Sequence, residues 1–177
     1  MSISVIHLTD IHMVADIERN TILNRREQLY NACCSVLCPN DTTVIVISGD
    51  IAFSGKPEEY DCAFDLIYYI HDKLKSYLNN DVKVLMVPGN HDCNFDGDIS
   101  KREELLAKLD IAKNVDQYIL EQMTTVQKNF SEFSKCFFKY DLNNLCNKYV
   151  MDCGSTKLLF QMVNTAWMSQ EHEEPGK

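Results

Sequence analysis

The fold is decided by residues 42–47, Thr42-Thr43-Val44-Ile45-Val46-Ile47. All of these residues are β-branched, and the apolar ones follow one another without the alternation that a half-exposed strand shows. This pattern is typical of a strand that is buried on both faces. Such strands usually belong to parallel sheets covered by helices, so the run predicts an α/β protein with a mostly parallel sheet.

Two further strands and two helices are predicted around this run. Residues 4–9 and 82–87 are strand-like. One helix is predicted from about residue 24 to residue 37, and another from Pro57 to about residue 77. The second helix carries apolar residues at helical spacing, namely Ala63, Leu66, Ile67, Ile70 and Leu74. The order strand, helix, strand, helix, strand is that of a parallel α/β sheet.

The second half of the chain has a different pattern. Residues 99–140 are helical in character, with a break near 110–114. Residues 149–153 and 158–164 are predicted to pair as a β-hairpin, because Gly154-Ser155-Thr156 separates them. We expect one domain over residues 1–168 and a loose polar tail over residues 169–177.

The overall composition is that of an ordinary globular protein. Of the 177 residues, 45% are hydrophobic and 24% are charged. The formal net charge of −9 disfavours a broad basic surface that would follow nucleic-acid phosphates. No apolar window of about 18 residues or more is present, so no membrane partner is expected. Residues 1–9 show no secretory signal, so the expected location is cytoplasmic.

The eight cysteines do not form a recognisable binding or disulfide pattern. No two of them stand in a C-x-x-C pair. Reduced thiols that act as small apolar residues are therefore the favoured interpretation. Cys93 is the exception for which another role stays open, because it lies beside one of the polar signatures described next.

Three short polar signatures follow the three predicted strands: Asp10-Ile11-His12, Gly49-Asp50 and Gly89-Asn90-His91-Asp92. In open α/β sheets, ligands bind at the carboxyl ends of the strands, where these signatures lie. If strand geometry persists through the first signature, its aspartate and histidine point to the same side. A carboxylate with an imidazole suits Mn, Fe or Zn better than Ca or Mg, which prefer oxygen ligands alone.

These signatures resemble those of the calcineurin-like metallophosphoesterase superfamily. The resemblance implies a centre of two divalent metal ions, with manganese the first choice and iron or zinc as alternatives. Asp10 and His12 are implied to bind the first ion, and Asp50 to bridge the pair. Asn90 is implied to bind the second ion, and His91 to be the catalytic imidazole.

Asp92 is placed with His91 in the implied catalytic group. From the residues alone, two roles for Asp92 stay open: it orients a group of the site, or it caps a turn. Nearby acidic residues are interpreted more simply. Asp96 and Asp98 are predicted to be turn residues, and Tyr60 is predicted to pack on its helix.

The resemblance also implies a fold and a reaction. The implied fold is a partial αββα sandwich in which residues 99–140 form a helical insertion and the hairpin rejoins the core. The implied reaction is hydrolysis of a phosphodiester or phosphomonoester, with a nucleotide or nucleic acid among the possible substrates. The segments 49–55 and 57–60 are similar to the bacterial phosphodiesterase branch. The Asp-Arg-Gly continuation of the protein serine/threonine phosphatases is absent.

The chain departs from the family pattern towards its end. A further metal-binding histidine and a Gly-His-x-His motif are not recognisable, and His172 is interpreted as a solvated tail residue. We therefore expect the N-terminal part of a larger enzyme, truncated or naturally short, whose site needs a further C-terminal region or a partner chain. Alone, this chain is expected to be weakly active or inactive. The alternative is a non-catalytic interaction or sensor module on a shortened phosphoesterase fold.

Two histidines outside the signatures are predicted to be structural. His7 lies within the first strand, and His71 lies on the second long helix.

Overall fold

The structure is a computed structural model that describes residues 3–109, 115–139, 141 and 144–172. Its first sheet contains the strands β1 (Ile3–Leu8), β2 (Thr42–Ser48) and β3 (Val82–Val87) in that order, all parallel. The central strand β2 buries consecutive residues of its middle on both faces. This two-sided burial explains why its sequence does not alternate. The predicted α/β fold with a parallel sheet is confirmed.

Three helices precede or connect these strands. α1 (Thr21–Asn24) and α2 (Arg26–Val36) replace the single helix predicted from about residue 24. α3 (Pro57–Leu78) matches its prediction closely, with Pro57 in the first helical position and a left-handed Asn79 (φ 49°) at its end. Its apolar residues at helical spacing are buried in the core of the protein. α3 contacts both α2 and β3 and thereby covers the sheet.

The segment that was predicted to be helical contains three short helices in its described parts. They are α4 (Ser100–Lys108), α5 (Gln117–Met123) and α6 (Lys128–Ser134), and a 3₁₀ turn over Thr124–Gln127 separates the last two. The predicted break at residues 110–114 lies outside the described residues. α6 packs on α3, where the ring of Phe133 stacks on that of Tyr60 at 4.9 Å. The predicted packing role of Tyr60 is thus confirmed.

The predicted hairpin is present and is longer than expected. β4 (Cys146–Cys153) and β5 (Thr156–Val163) pair in antiparallel fashion, and Gly154 takes a positive φ of 68° in their two-residue turn. The hairpin is a separate two-stranded sheet that contacts β3. Met151 and Met162 on its inner face belong to the core. Two sheets with flanking helices are consistent with the expected sandwich.

The cysteines and the two histidines outside the polar signatures have the contacts of structural residues. All eight cysteines are free thiols, and Cys33, Cys62, Cys93 and Cys153 are buried. His71 Nε2 lies 3.0 Å from the carbonyl oxygen of Val82. His7 is exposed at the surface of the sheet, where its Nε2 lies 2.7 Å from Ser48 Oγ. Both histidines therefore have the structural contacts that their positions predict.

Two further observations concern the ends and the surface of the fold. Ser169, the first residue of the predicted tail, is buried, and its carbonyl oxygen accepts a hydrogen bond of 2.6 Å from Arg102 Nη2. Residues 173–177 of that tail lie outside the described residues. Among the helices that the structure describes, none has the length and apolar character needed to span a bilayer.

The packing of α3 gives a direct test of this core. Leu74 is fully buried, so Leu74→Ala leaves a cavity and is expected to lower the free energy of unfolding by about 2–5 kcal/mol. Val36 at the end of α2 is 77% exposed, so Val36→Ala is the control and should change the free energy by no more than about 0.5 kcal/mol. Urea unfolding followed by circular dichroism measures both. Equal effects of the two variants would contradict this packing.

Candidate metal centre

The loops that follow β1 and β2 run side by side. The amide of His12 donates to the carbonyl oxygen of Asp50 at 2.9 Å, and the amide of Met13 donates to that of Ile51 at 2.8 Å. The amide of Phe53 then donates back to the carbonyl oxygen of Met13 at 2.9 Å. These backbone bonds bring the first two polar signatures to the same edge of the sheet.

Three side chains from these loops form a candidate metal-binding group. Asp10, His12 and Asp50 each offer a ligand atom, and these atoms all lie within 4.8 Å of one another. Asp10 Oδ1 is 3.9 Å from His12 Nε2. His12 Nδ1 is buried and has no hydrogen-bond partner among the described residues. Two carboxylates with an imidazole, one of whose nitrogens is buried without a partner, fit a borderline divalent cation.

The backbone brings these side chains together in an unexpected way. β1 ends at Leu8, so the strand geometry assumed for Asp10 and His12 does not persist, and that premise is wrong. Both residues instead adopt left-handed backbone conformations, with φ of 53° and 50°, and Asp50 does the same with φ of 53°. For residues other than glycine this conformation costs on the order of 1 kcal/mol each. Three strained residues at one site point to a functional constraint.

Two glycines allow the second and third signatures to approach each other closely. A Cβ atom on Gly89 would lie 2.1 Å from Asp50 Oδ1 and 2.5 Å from the amide nitrogen of Asp50. Gly49 faces it with φ of 105°, and a Cβ there would lie 3.0 Å from the Cα of Gly89. In this arrangement the amide of His91 donates to Asp50 Oδ1 at 3.0 Å. No other residue type fits at position 89.

Asp92 lies beneath these loops and is completely buried. Its Oδ1 accepts hydrogen bonds from the amide of Ala52 at 2.9 Å and from the hydroxyl of Tyr60 at 3.0 Å. Its Oδ2 accepts from the amides of Ile51 at 3.2 Å and Gly89 at 2.9 Å. Burial raises the pKa of Asp92 to about 6, although the hydrogen bonds from these four donors act in the opposite direction and lower the pKa.

These contacts combine the two roles that the sequence left open for Asp92, because its bond from the Gly89 amide also caps the short 3₁₀ turn Asn90–Asp92. Its carboxylate ties the loop after β2 to the loop after β3 and faces backbone amides, not the opening of the site. Asp92 therefore has the contacts of a positioning residue.

His91 and Asn90 lie on the solvent side of the same loop. His91 Nδ1 is 2.7 Å from the carbonyl oxygen of Phe53. Because a carbonyl can only accept, Nδ1 carries the proton, and in the neutral ring Nε2 is the basic nitrogen. The ring centroids of His91 and His12 are 4.5 Å apart. Asn90 is exposed, and with His91 it lines a cleft of about 260 Å³ beside the three-residue group.

Sequence reasoning missed a residue that shapes this cleft. Glu59 is buried at the third position of α3, and its carboxylate accepts hydrogen bonds from the amide and hydroxyl of Ser54, both at 2.8 Å. It also accepts from the amide of Lys56 at 3.1 Å. The available signal was a glutamate three residues after the residue that precedes the helix, the position from which a side chain reaches back to cap the first turn.

The other acidic and histidine residues near the signatures have simpler contacts. Asp96 Oδ2 pairs with Lys56 Nζ at 3.0 Å, and this partner raises the pKa of the Lys56 ammonium group. Asp98 accepts a hydrogen bond from the amide of Ser100 at 3.1 Å, as its predicted turn role requires. His172 is exposed and does not belong to the candidate group.

A comparison with models of known protein families agrees with this geometry. Residues 3–170 match the model described as calcineurin-like phosphoesterase, which is nearly the whole chain. A sequence comparison with curated proteins returns no match.

The close approach at Gly89 generates a prediction with an internal control. Gly89→Ala forces its methyl group into Asp50 and is expected to lower the free energy of unfolding by about 1–3 kcal/mol. Displacement of Asp50 should also weaken manganese binding by about tenfold or more. At Gly97, nothing lies within 4 Å of an added Cβ, so Gly97→Ala should leave both quantities unchanged. Chemical unfolding and calorimetric titration with manganese measure them.

The buried carboxylate generates a second prediction. Asp92→Asn replaces one acceptor oxygen by an amide nitrogen that faces backbone N–H groups. We therefore expect the free energy of unfolding to fall by at least about 2 kcal/mol. Tyr60→Phe removes only one of the four donors and should cost about 1 kcal/mol. Denaturant titrations of both variants give these values. If Asp92→Asn costs no more than Tyr60→Phe, the positioning role is wrong.

Proposed function

The chain belongs to the calcineurin-like phosphoesterase family, whose members are metal-dependent phosphoesterases, and on that basis we propose that it hydrolyses a phosphodiester or a phosphomonoester. The observation that carries the proposal is the convergence of Asp10, His12 and Asp50 beside the imidazole of His91. The side chains lie where three parallel strands end, and the cleft next to them gives access from solvent.

The proposed metal ligands follow from the donors that the site offers. Asp10, His12 and Asp50 would hold one divalent ion, and Asp50 and Asn90 would hold a second, with manganese favoured over iron and zinc. When bound, such ions lower the pKa of a water and offset the charge of the phosphoryl oxygens. Asp10 and Asp50 place two carboxylates within 4.8 Å of each other, an arrangement that a cation stabilises.

The proposed role of His91 is that of a general acid. In the protonated ring, Nδ1 donates to the carbonyl oxygen of Phe53, and Nε2 carries the proton that passes to the leaving alkoxide oxygen. The hydrogen bond to the Phe53 carbonyl oxygen fixes the orientation of the ring. Because this bond involves the backbone, it does not depend on the identity of the side chain at position 53.

A non-catalytic module is the second candidate function. It is favoured by the size of the candidate group, because the described residues bring only three histidine or acidic ligands together. Elemental analysis of the purified protein separates the candidates. Two tightly held metal ions per chain support the enzyme, and one or none supports the non-catalytic module.

Substitution of the proposed bridging residue tests the enzymatic function. Asp50→Asn keeps the size of the side chain and tolerates the left-handed backbone, but it removes the charge. We expect the bound metal to be lost, and with it the weak manganese-dependent hydrolysis of bis(p-nitrophenyl) phosphate that we expect of this chain alone. Asp98→Asn is the control, since the side-chain hydrogen bonds of Asp98 within the described residues go to Ser100 at the start of α4. Turnover and metal content that persist in Asp50→Asn would refute the bridging role.

A further inference from the structure

We propose that the cleft beside His91 binds the base of a mononucleotide substrate and that Phe53 is its stacking surface. This inference rests on the proposed phosphoesterase function and specifies its substrate. It starts from an unusual feature of the site: Phe53 is 53% exposed although it adjoins the candidate metal ligands. A large ring left in water at a site is a candidate contact for a ligand with an apolar face.

The backbone of Phe53 is held in place from two sides. Its amide donates to the carbonyl oxygen of Met13 at 2.9 Å, and its own carbonyl oxygen accepts from His91 Nδ1 at 2.7 Å. The centroid of its ring is 5.6 Å from that of His91 and 6.3 Å from that of His12. A planar group stacked on Phe53 would therefore belong to a substrate whose phosphate lies at the candidate centre.

A second aromatic residue, Phe95, lines the same cleft. The guanidinium carbon of Arg102 lies 5.7 Å from the centroid of the Phe95 ring. Arg102 is itself buried, and its Nε donates to the carbonyl oxygen of Met123 at 2.9 Å. The cleft therefore presents two phenyl groups on supported segments, which keeps the entropic cost of ordering them around a ligand low.

The polar residues of the cleft favour a base over an alkyl group. Asn90 and Gln170 bring amide groups to the same cleft, and Lys56 and Asp96 add a charged pair. A nucleobase has apolar faces and a polar edge, so it matches both kinds of lining, whereas an alkyl chain offers no polar edge to the amide and charged groups of the cleft.

The charge of the cleft favours one nucleotide over a nucleic-acid strand. Lys56 is the only lysine or arginine among the described lining residues, and it is already paired with Asp96. Glu171 adds a further negative charge, and the whole chain carries a net charge of −9. A bound strand places several phosphates against such a surface, whereas a mononucleotide places its phosphate at the candidate metal centre alone.

The test compares two ligands that differ only in the base. Adenosine monophosphate and ribose 5-phosphate are titrated calorimetrically into the manganese-loaded protein. We expect the nucleotide to bind about fivefold tighter or more, the low end of what stacking one base contributes. Phe53→Ala should abolish this difference, and Phe53→Trp should keep it. Tyr68→Ala removes an aromatic residue that is 51% exposed on α3, outside the cleft, and should change neither affinity.

The outcomes separate this inference from the proposed function. Equal affinities of the two ligands, or a preference that survives in Phe53→Ala, would overturn the stacking role, while manganese-dependent turnover would still support the phosphoesterase. A preference for a single-stranded oligonucleotide over the mononucleotide would overturn the choice of occupant. Ligand-observed NMR with adenosine and metal-free protein adds a readout that does not need the metal. Contacts to adenosine that disappear in Phe53→Ala support the inference even if diester turnover is absent.

Discussion

The hydrogen bonds of the buried Asp92 carboxylate are the constraint on which the candidate site depends. Asp50 and His91 belong to loops that are 41 residues apart in the chain, and each loop by itself has many possible arrangements. Asp92 joins them by accepting from Ile51 and Ala52 on one side and from Gly89 on the other. Because a buried carboxylate is costly unless its oxygens are paired, these loops have few alternative positions.

The segment that contains α5 and α6 extends this constraint to the outer side of the cleft. The amide of Asn94 donates to the carbonyl oxygen of Val126 at 2.7 Å, and Asn129 Nδ2 donates to that of Gly55 at 2.8 Å. These bonds connect the loops after β3 and β2 to the segment that contains α5 and α6. The helical segment thus acts as a support for the site, a role that its amphipathic sequence alone does not indicate.

Much of the fold could be predicted because its signals are local. A strand buried on both faces and a helix with a regular apolar face are visible in short windows, as residues 42–47 and α3 show. The three polar signatures were also visible, and their position after strands predicted that they meet. Features that depend on contacts between distant segments were not accessible. The burial of Asp92 and the left-handed backbone of Asp10 both arise from such contacts.

The strain and charge of the site have a common consequence for its stability. Asp10, His12 and Asp50 occupy left-handed conformations, and two of them bring negative charges to within 4.8 Å of each other. Both features raise the free energy of the folded state, and the contacts of Asp92 oppose them. A cation bound by these ligands offsets the repulsion only in the folded protein, because the unfolded chain does not hold the ligands together. Binding of a cation at this group would therefore stabilise the folded protein over the unfolded chain.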